Sequence, residues 1–310
     1  MRIVIIGLGI QGMKRLKIAD GEVVATVDPV SATADYRDIS DVPAEMYDAA
    51  LVCTPDGAKI DVLTSLLGAG KHVLVEKPLL ATKTQEIEAL AALSATNNAV
   101  CYTAYNHRFE PHFRRMKDLL ASGVLGKIYR CRLFYGNGTA TDVRSSSWRD
   151  KGAGVLPDLG SHLLDTTLYW FGRPNSAFRV ISCDRFENAA FDHVVIGGDG
   201  DPALELEMTL LSWRNTFTCD VLAENGSAHI RSLCKWGPVD FTVRMRKLPS
   251  GRPDEDVETL IQPDPTWALE YEHFKRLCRD GGGNLENDIW INETLNTLTT
   301  QAMRRSEAAA

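Results

Sequence analysis

The sequence predicts an α/β chain of two domains, a doubly wound parallel sheet followed by an α+β half built on a large, mostly antiparallel open sheet. Three observations predict it. The chain has 310 residues, more than one hydrophobic core usually serves. In its first hundred residues, short β-branched runs alternate with helical apolar spacing, the signature of parallel βαβ units. Beyond about residue 123, strands follow one another with few helices between them, which implies antiparallel pairing.

The parallel strands are expected at 2–6, 23–27, 50–54, 72–75 and 100–103, with helices at 11–19, 58–69 and 84–95. Crossovers of this kind are right-handed, so helices should cover both faces of the sheet. A helix at 111–122 leads to Gly123 and Gly126, which draws the first domain at 1–122 and the second at 123–310. In the second, strands are expected at 128–134, 178–182, 193–196, 204–211, 216–222, 228–231 and 240–246, interrupted by a helix at 158–171. A final helix at about 288–305 is a candidate to pack back on the first domain. The stretch 136–155 reads as a long polar, glycine-rich loop, and loops of that length are usually functional or disordered.

Composition narrows the function. Hydrophobic residues at 44% and charged residues at 24% are those of a core-forming globular chain. A net charge of -7 removes the electrostatic attraction on which nucleic-acid binding rests. No apolar run is long enough to span a membrane, and Met1-Arg2 passes straight into Ile3-Val4-Ile5-Ile6-Gly7 without the pattern of a signal peptide, so a cytoplasmic protein is expected. Seven scattered cysteines with no CxxC pattern are expected to be reduced thiols, with no disulfide framework and no metal site.

Four motifs carry chemistry. Gly7-Leu8-Gly9-Ile10-Gln11-Gly12 matches GxGxxG between a predicted strand and a predicted helix, where a dinucleotide's pyrophosphate meets the backbone at the helix N-terminus. Asp28 ends the second strand, 21 residues after Gly7, where a carboxylate takes the adenosine ribose hydroxyls. Pro29, Val30 and Ser31 follow it with no arginine, which favours NAD over NADP. Thr54 and Pro55 close the third strand, and Glu76-Lys77-Pro78 the fourth, at the carboxyl edge where such sheets bind ligands. Finally, Asp158, His162 and Asp165 are spaced i, i+4 and i+7, so a helix puts them on one face. A histidine between carboxylates suits proton transfer near neutral pH. The plainer reading makes Asp158 the helix N-cap and His162 the satisfied partner of Asp165.

These motifs occur together with Thr54-Pro55-Asp56, GKHVLVEKP at 70–78, YNHRF at 105–109 and GAGVLPDLGSHLLD at 152–165, in that order. In this the chain resembles the Gfo/Idh/MocA oxidoreductases, named for glucose-fructose oxidoreductase and inositol dehydrogenase, over essentially its whole length. The resemblance implies an N-terminal Rossmann domain and a C-terminal α/β domain whose open sheet serves a homodimer or homotetramer. It implies Lys77, Asp158 and His162 as the catalytic group, with Gly7, Gly9, Ile10, Gln11, Gly12, Asp28, Thr54, Pro55, Glu76 and Lys77 about the cofactor. The activity implied is NAD-dependent oxidation of a secondary hydroxyl of a sugar, sugar derivative or cyclitol. Two alternatives stay open, a lyase or hydrolase that uses NAD transiently and a non-catalytic dinucleotide-binding regulator. For the substrate, Asn106, Arg108 and Asp165 are candidates, and Arg144, Trp148 and Arg149 hint at an anionic group. Two departures from the family pattern are Lys59, where a histidine is frequent, and Gly152-Ala153-Gly154 in place of three glycines.

Overall fold

The computed structural model describes residues 1–146 and 149–309. The chain divides into two compact units, Met1–Asn106 with Trp267–Glu293, and His107–Thr266 with Thr294–Ala310.

The first unit is the parallel one. Its elements run β1 (Ile3–Ile6), α1 (Ile10–Ile18), β2 (Val23–Val27), β3 (Ala49–Val52), α2 (Asp56–Gly68), β4 (His72–Glu76), α3 (Thr84–Thr96) and β5 (Cys101–Ala104). The strands pair in the order β2-β1-β3-β4-β5, all parallel. Both faces are covered, so the strands must be apolar at consecutive positions. In β1, Ile3 and Ile5 enter one core while Val4 and Ile6 enter the other, and all four are buried. The strand order reverses between β1 and β3, whose carboxyl ends therefore flank a crevice.

The second unit begins with α4 (Pro111–Ala121), β6 (Ile128–Gly136), α5 (Ala140–Arg144) and α6 (Val155–Phe171). It continues through β7 (Arg179–Asp184), β8 (His193–Gly198), β9 (Ala203–Thr209), β10 (Thr216–Ala223), β11 (Gly226–Arg231), β12 (Val239–Met245) and β13 (Asp254–Leu260). These strands form one sheet in the order β13-β12-β11-β10-β6-β9-β8-β7, antiparallel except for the parallel pair β6 and β9. The strands alternate as a half-solvated sheet should: Cys131, Leu133 and Tyr135 are buried, while Arg130 and Arg132 form ion pairs with Glu205 and Glu207 on the other face. Helix α6 lies against β6, β8 and β9 and is buried almost throughout, from Leu156 and Leu159 to Leu164 and Trp170. The Trp170 indole donates to Phe113 O at 3.0 Å and ties α6 to α4.

Two helices close the chain, α7 (Thr266–Asp280) and α8 (Leu285–Ala309). Tyr271 and Phe274 of α7 complete one core of the parallel unit, and Leu285 the other. Among the described residues no helix is long and apolar enough to cross a membrane.

The fold class matches the sequence reading; the boundary does not. It falls after Asn106 and not at 122, because α4 packs with α6 and β12. The final helix starts at Leu285, and its residues group with the parallel unit through Glu293 and with the other unit from Thr294. Helix α7 was missed although Trp267, Tyr271, Phe274 and Cys278 carry helical spacing. Strand β13 was unreadable: its DEDVETL is exposed from Asp254 to Thr259, an acidic edge strand without an alternating apolar face.

Candidate active site

Each unit contributes a group of the expected residues. In the parallel unit, α1 starts at Ile10 with Gly9, which has no side chain to cap it, as N-cap. Such an end attracts an anion through its first N–H groups and the helix dipole. Gly12 is there because a Cβ would lie 1.8 Å from Gly7 O, whereas a Cβ on Gly9 would meet nothing within 4 Å. The turn is thus closed on its strand side and open on its outer side.

Asp28 braces that turn. Its carboxylate accepts from Leu8 N at 2.7 Å, Val30 N at 2.9 Å and Ser31 N at 2.7 Å. The bond from Leu8, followed by that from Ser31, holds this carboxyl below the usual carboxylate range, so it is ionised at neutral pH. An arginine does stand near it: Arg37 donates to Ser31 O at 2.6 Å and to Asp28 O at 3.4 Å. The sequence reading looked only at the residues directly after Asp28.

The Glu76-Lys77-Pro78 segment is clamped on both sides of the lysine. Before it, Glu76 accepts from Arg15 Nε at 2.7 Å, and Arg15 Nη2 donates to Glu270 at 2.7 Å. Arg15 is 1% exposed, with its guanidinium 4.3 Å from the Trp267 ring centroid. Burial works against that charge, but Glu270 and Glu76 outweigh it and hold the group above its ordinary pKa. Glu76, expected beside the cofactor, is therefore committed to a buried ion network. After the lysine, Lys59 Nζ donates to Pro78 O and to Asp56, each at 2.7 Å. The departure at Lys59 fixes the backbone that follows Lys77, at the cost of burial that lowers the Lys59 pKa.

These residues fit a dinucleotide. The α1 terminus, with glycine as its N-cap, suits its pyrophosphate, the ionised Asp28 its ribose, and Thr54 keeps a buried Oγ1 with no hydrogen-bond partner among the described residues at the carboxyl end of β3.

In the second unit the site is one face of α6. The helix begins after Gly154, whose φ is +51° and where a Cβ would stand 2.2 Å from Phe191 O. Asp158 lies inside the first turn, so the N-cap reading of this residue is overturned. Gly152 and Gly154 are the positions with positive φ, and Ala153 is not among them, which explains why an alanine is tolerated there. Asp158 pairs with Arg149 at 3.4 Å. Asp165, 1% exposed, accepts from Arg108 through two parallel bonds of 2.8 and 2.6 Å. Burial pushes the Asp165 carboxyl up, and Arg108 pulls against it. His162 lies between the two carboxylates, 6% exposed. Its ring stacks on that of His107 at 4.1 Å between centroids and 16° between planes, and Tyr135 meets it edge-on at 5.8 Å.

The loop residues behave differently from expectation. Arg144 donates to Glu187 O at 3.3 Å, Asp150 accepts from Ala190 N at 2.8 Å, and Trp148 lies outside the described residues. Asn106, buried, is the last residue of the first stretch of the parallel unit. Lys77 belongs to the parallel unit, and Asp158 and His162 to the other. Sequence reasoning missed Arg15, His107 and Tyr135. An arginine one turn after Gly12 on the buried side of α1 was a signal for a buried ion pair, and His107 stood in a motif already singled out.

Comparison with known proteins agrees with this division. Residues 1–105 match the family model described as oxidoreductase family, NAD-binding Rossmann fold, and residues 113–229 match the GFO/IDH/MocA C-terminal domain. The scyllo-inositol 2-dehydrogenase (NADP(+)) of Bacillus subtilis is 32% identical over 158 residues, 50% of this chain and 42% of that protein. Levoglucosan dehydrogenase of Pseudarthrobacter phenanthrenivorans is 30% identical over 49% of this chain and 40% of its own length. The chain thus spans less than half the length of these curated relatives in the matched region. Among solved structures, levoglucosan dehydrogenase in complex with NADH superposes with a TM-score of 0.83 over 98% of this chain and 97% of that one, at 18% identity. At that identity the likeness is one of fold.

Proposed function

From the chain's membership of the GFO/IDH/MocA oxidoreductase family, whose NAD-binding Rossmann fold it carries in residues 1–105, we propose that it is an NAD-dependent dehydrogenase of a secondary hydroxyl on a neutral sugar or cyclitol. The observation that carries the reading is His162, a nearly buried imidazole on α6 whose two flanking carboxylates are each engaged by an arginine, Asp158 by Arg149 and Asp165 by Arg108. With those charges taken up, the imidazole is the group suited to accept a hydroxyl proton near neutral pH.

NAD, when bound, would accept the hydride from the carbinol carbon; Gly7, Gly9, Ile10, Gln11 and Gly12 would hold it, with Asp28 taking its ribose. His162 takes the hydroxyl proton. Lys77, its backbone pinned by the Glu76 and Pro78 contacts, donates to the oxygen as negative charge develops there. Asp158 tunes the charge beside His162. General base and cation together contribute on the order of 10²- to 10⁴-fold. A neutral substrate is favoured because Arg144 and Arg149 already bond to protein acceptors, which weakens the hint of an anion site. The outer face of the eight-stranded sheet is the proposed surface of a homodimer or homotetramer, and sedimentation as a monomer at all concentrations would remove that part.

The test is a panel of neutral sugars, cyclitols and their acidic or nucleotide-linked counterparts, assayed for NADH formed per substrate consumed. One NADH per neutral substrate is expected. Substrate consumed with no NADH would replace the dehydrogenase with a transient-redox lyase or hydrolase, and a preference for the acidic compounds would restore the anion site.

A further inference from the structure

We propose that Ser227, His229 and Asp220, on the outer face of the eight-stranded sheet, form a hydrolytic site for small activated acyl esters. The sheet register builds it. Asp220 of β10 is the cross-strand partner of His229 on β11, and Arg244 of β12 is that of Ser227. Ser227 and His229 are two residues apart on one strand and so share a face, while Ala228 between them and Cys219 and Val221 beside Asp220 are buried in the core. No step of the dehydrogenase reading uses any of these side chains.

The hydrogen bonds fix which way the protons point. Arg244 Nη1 lies 3.1 Å from His229 Nε2, and a guanidinium only donates, so Nε2 carries the lone pair. The ring proton is then on Nδ1, which donates to Asp220 Oδ1 at 2.6 Å. Ser227 Oγ lies 2.8 Å from Nε2 and, with no proton there to accept, donates its own. In this line of three, a base takes the hydroxyl proton while a carboxylate holds the tautomer and steadies the imidazolium. Burial works against the Asp220 charge, but His229 and Arg231, whose Nη2 is 2.5 Å away, outweigh it and hold the carboxyl below its usual range. Ser227 and His229 both remain partly exposed. In the reaction, Oγ bonds to the ester carbonyl carbon as its proton passes to Nε2. Arg244, across from the serine, supplies the donor for the charge that develops on the carbonyl oxygen. The proton leaves with the alcohol as the C–O bond breaks. Water then attacks the acyl-serine and gives a proton through Nε2 back to Oγ, so one ester and one water yield one acid and one alcohol. Because these groups stand on a strand face, small acyl groups with good leaving groups are the substrates they fit.

The inference is independent of the reading of α6, and failure of that reading in the substrate panel leaves it standing. The experiment treats the whole chain with a fluorophosphonate, locates the adduct by mass spectrometry and measures p-nitrophenyl acetate hydrolysis. It compares the wild type, Ser227→Ala and His229→Gln, with circular dichroism to show that each is folded. An adduct on Ser227 is expected, absent in Ser227→Ala and formed about tenfold more slowly or worse in His229→Gln, and hydrolysis should fall about tenfold or more in both. If His229→Gln does not fold, Asp220→Asn, which removes the charge that steadies the imidazolium, takes its place with the same expectation. A second copy seated on this face would cover the serine, so both assays run over a range of protein concentration. Reactivity per chain that falls as copies associate supports the placement of the site on this face. An adduct absent at every concentration, found on another residue instead, or formed equally fast in His229→Gln would overturn the inference, as would unchanged hydrolysis in Ser227→Ala.

Discussion

The turn between β1 and α1 closes within a short stretch of chain, with Asp28 reaching back 20 positions to Leu8 N, whereas the face of α6 is assembled from afar, Asp165 taking Arg108 across 57 positions and His162 stacking on His107. The first region is specified by backbone geometry. Gly12 must be glycine because Gly7 O occupies the place of its Cβ. The second is specified by pairing, in which each charged group is acceptable only because another segment delivers its partner. Local geometry leaves its mark on residue identity at fixed spacing; pairing does not say which arginine answers which aspartate.

The comparison breaks most readily at Arg108. Arg108→Met leaves the buried Asp165 carboxylate without its bidentate partner and should cost about 3–5 kcal/mol of stability in urea titration at neutral pH. The pH dependence gives the sign. Burial already raises the Asp165 pKa, and without Arg108 the folded value rises further above the unfolded one. The variant should recover stability as pH falls through the folded value, the gain being complete below the ordinary carboxylate range. A loss under about 1 kcal/mol, with no recovery in acid, would mean that the pair is not what holds this face.

The glycine turn should yield in binding. Gly12→Ala cannot seat its Cβ without displacing Gly7, and NAD affinity by calorimetry should fall at least a hundredfold, about 2.7 kcal/mol. Retention of wild-type affinity would place the pyrophosphate elsewhere. A smaller effect sharpens the same region: if the ionised Asp28 takes the ribose hydroxyls as proposed, NAD should bind about tenfold more tightly than NADP, about 1.4 kcal/mol. A preference for NADP would shift the role from Asp28 to Arg37, which lies beside the same turn.

How much of this could be read from the sequence follows the same division. The parallel strands, the glycine turn and Asp28 were legible because continuous β-branched runs and fixed glycine spacing encode them directly. The histidine face of α6 was legible in its spacing, but not in its partners. Arg149 was read as a substrate contact and pairs with Asp158; Glu76 was read as a cofactor contact and is held by Arg15. Both pairings were hidden for one reason, since a charged residue looks exposed in a sequence until its partner is known. The boundary at 106 was missed for a related reason: α4 looks like the last crossover helix of the parallel domain until its packing on α6 is seen.

We propose that the glycine turn binds the cofactor while the α6 histidine performs the proton transfer, so that the two functions separate. His162→Ala tests it most directly, with NAD affinity and NADH formation measured on the same protein and the best substrate of the panel. Affinity should stay within about threefold of the wild type while turnover falls by roughly 10²-fold or more. A variant that keeps most of its turnover, or one that loses affinity and turnover together, would contradict the account.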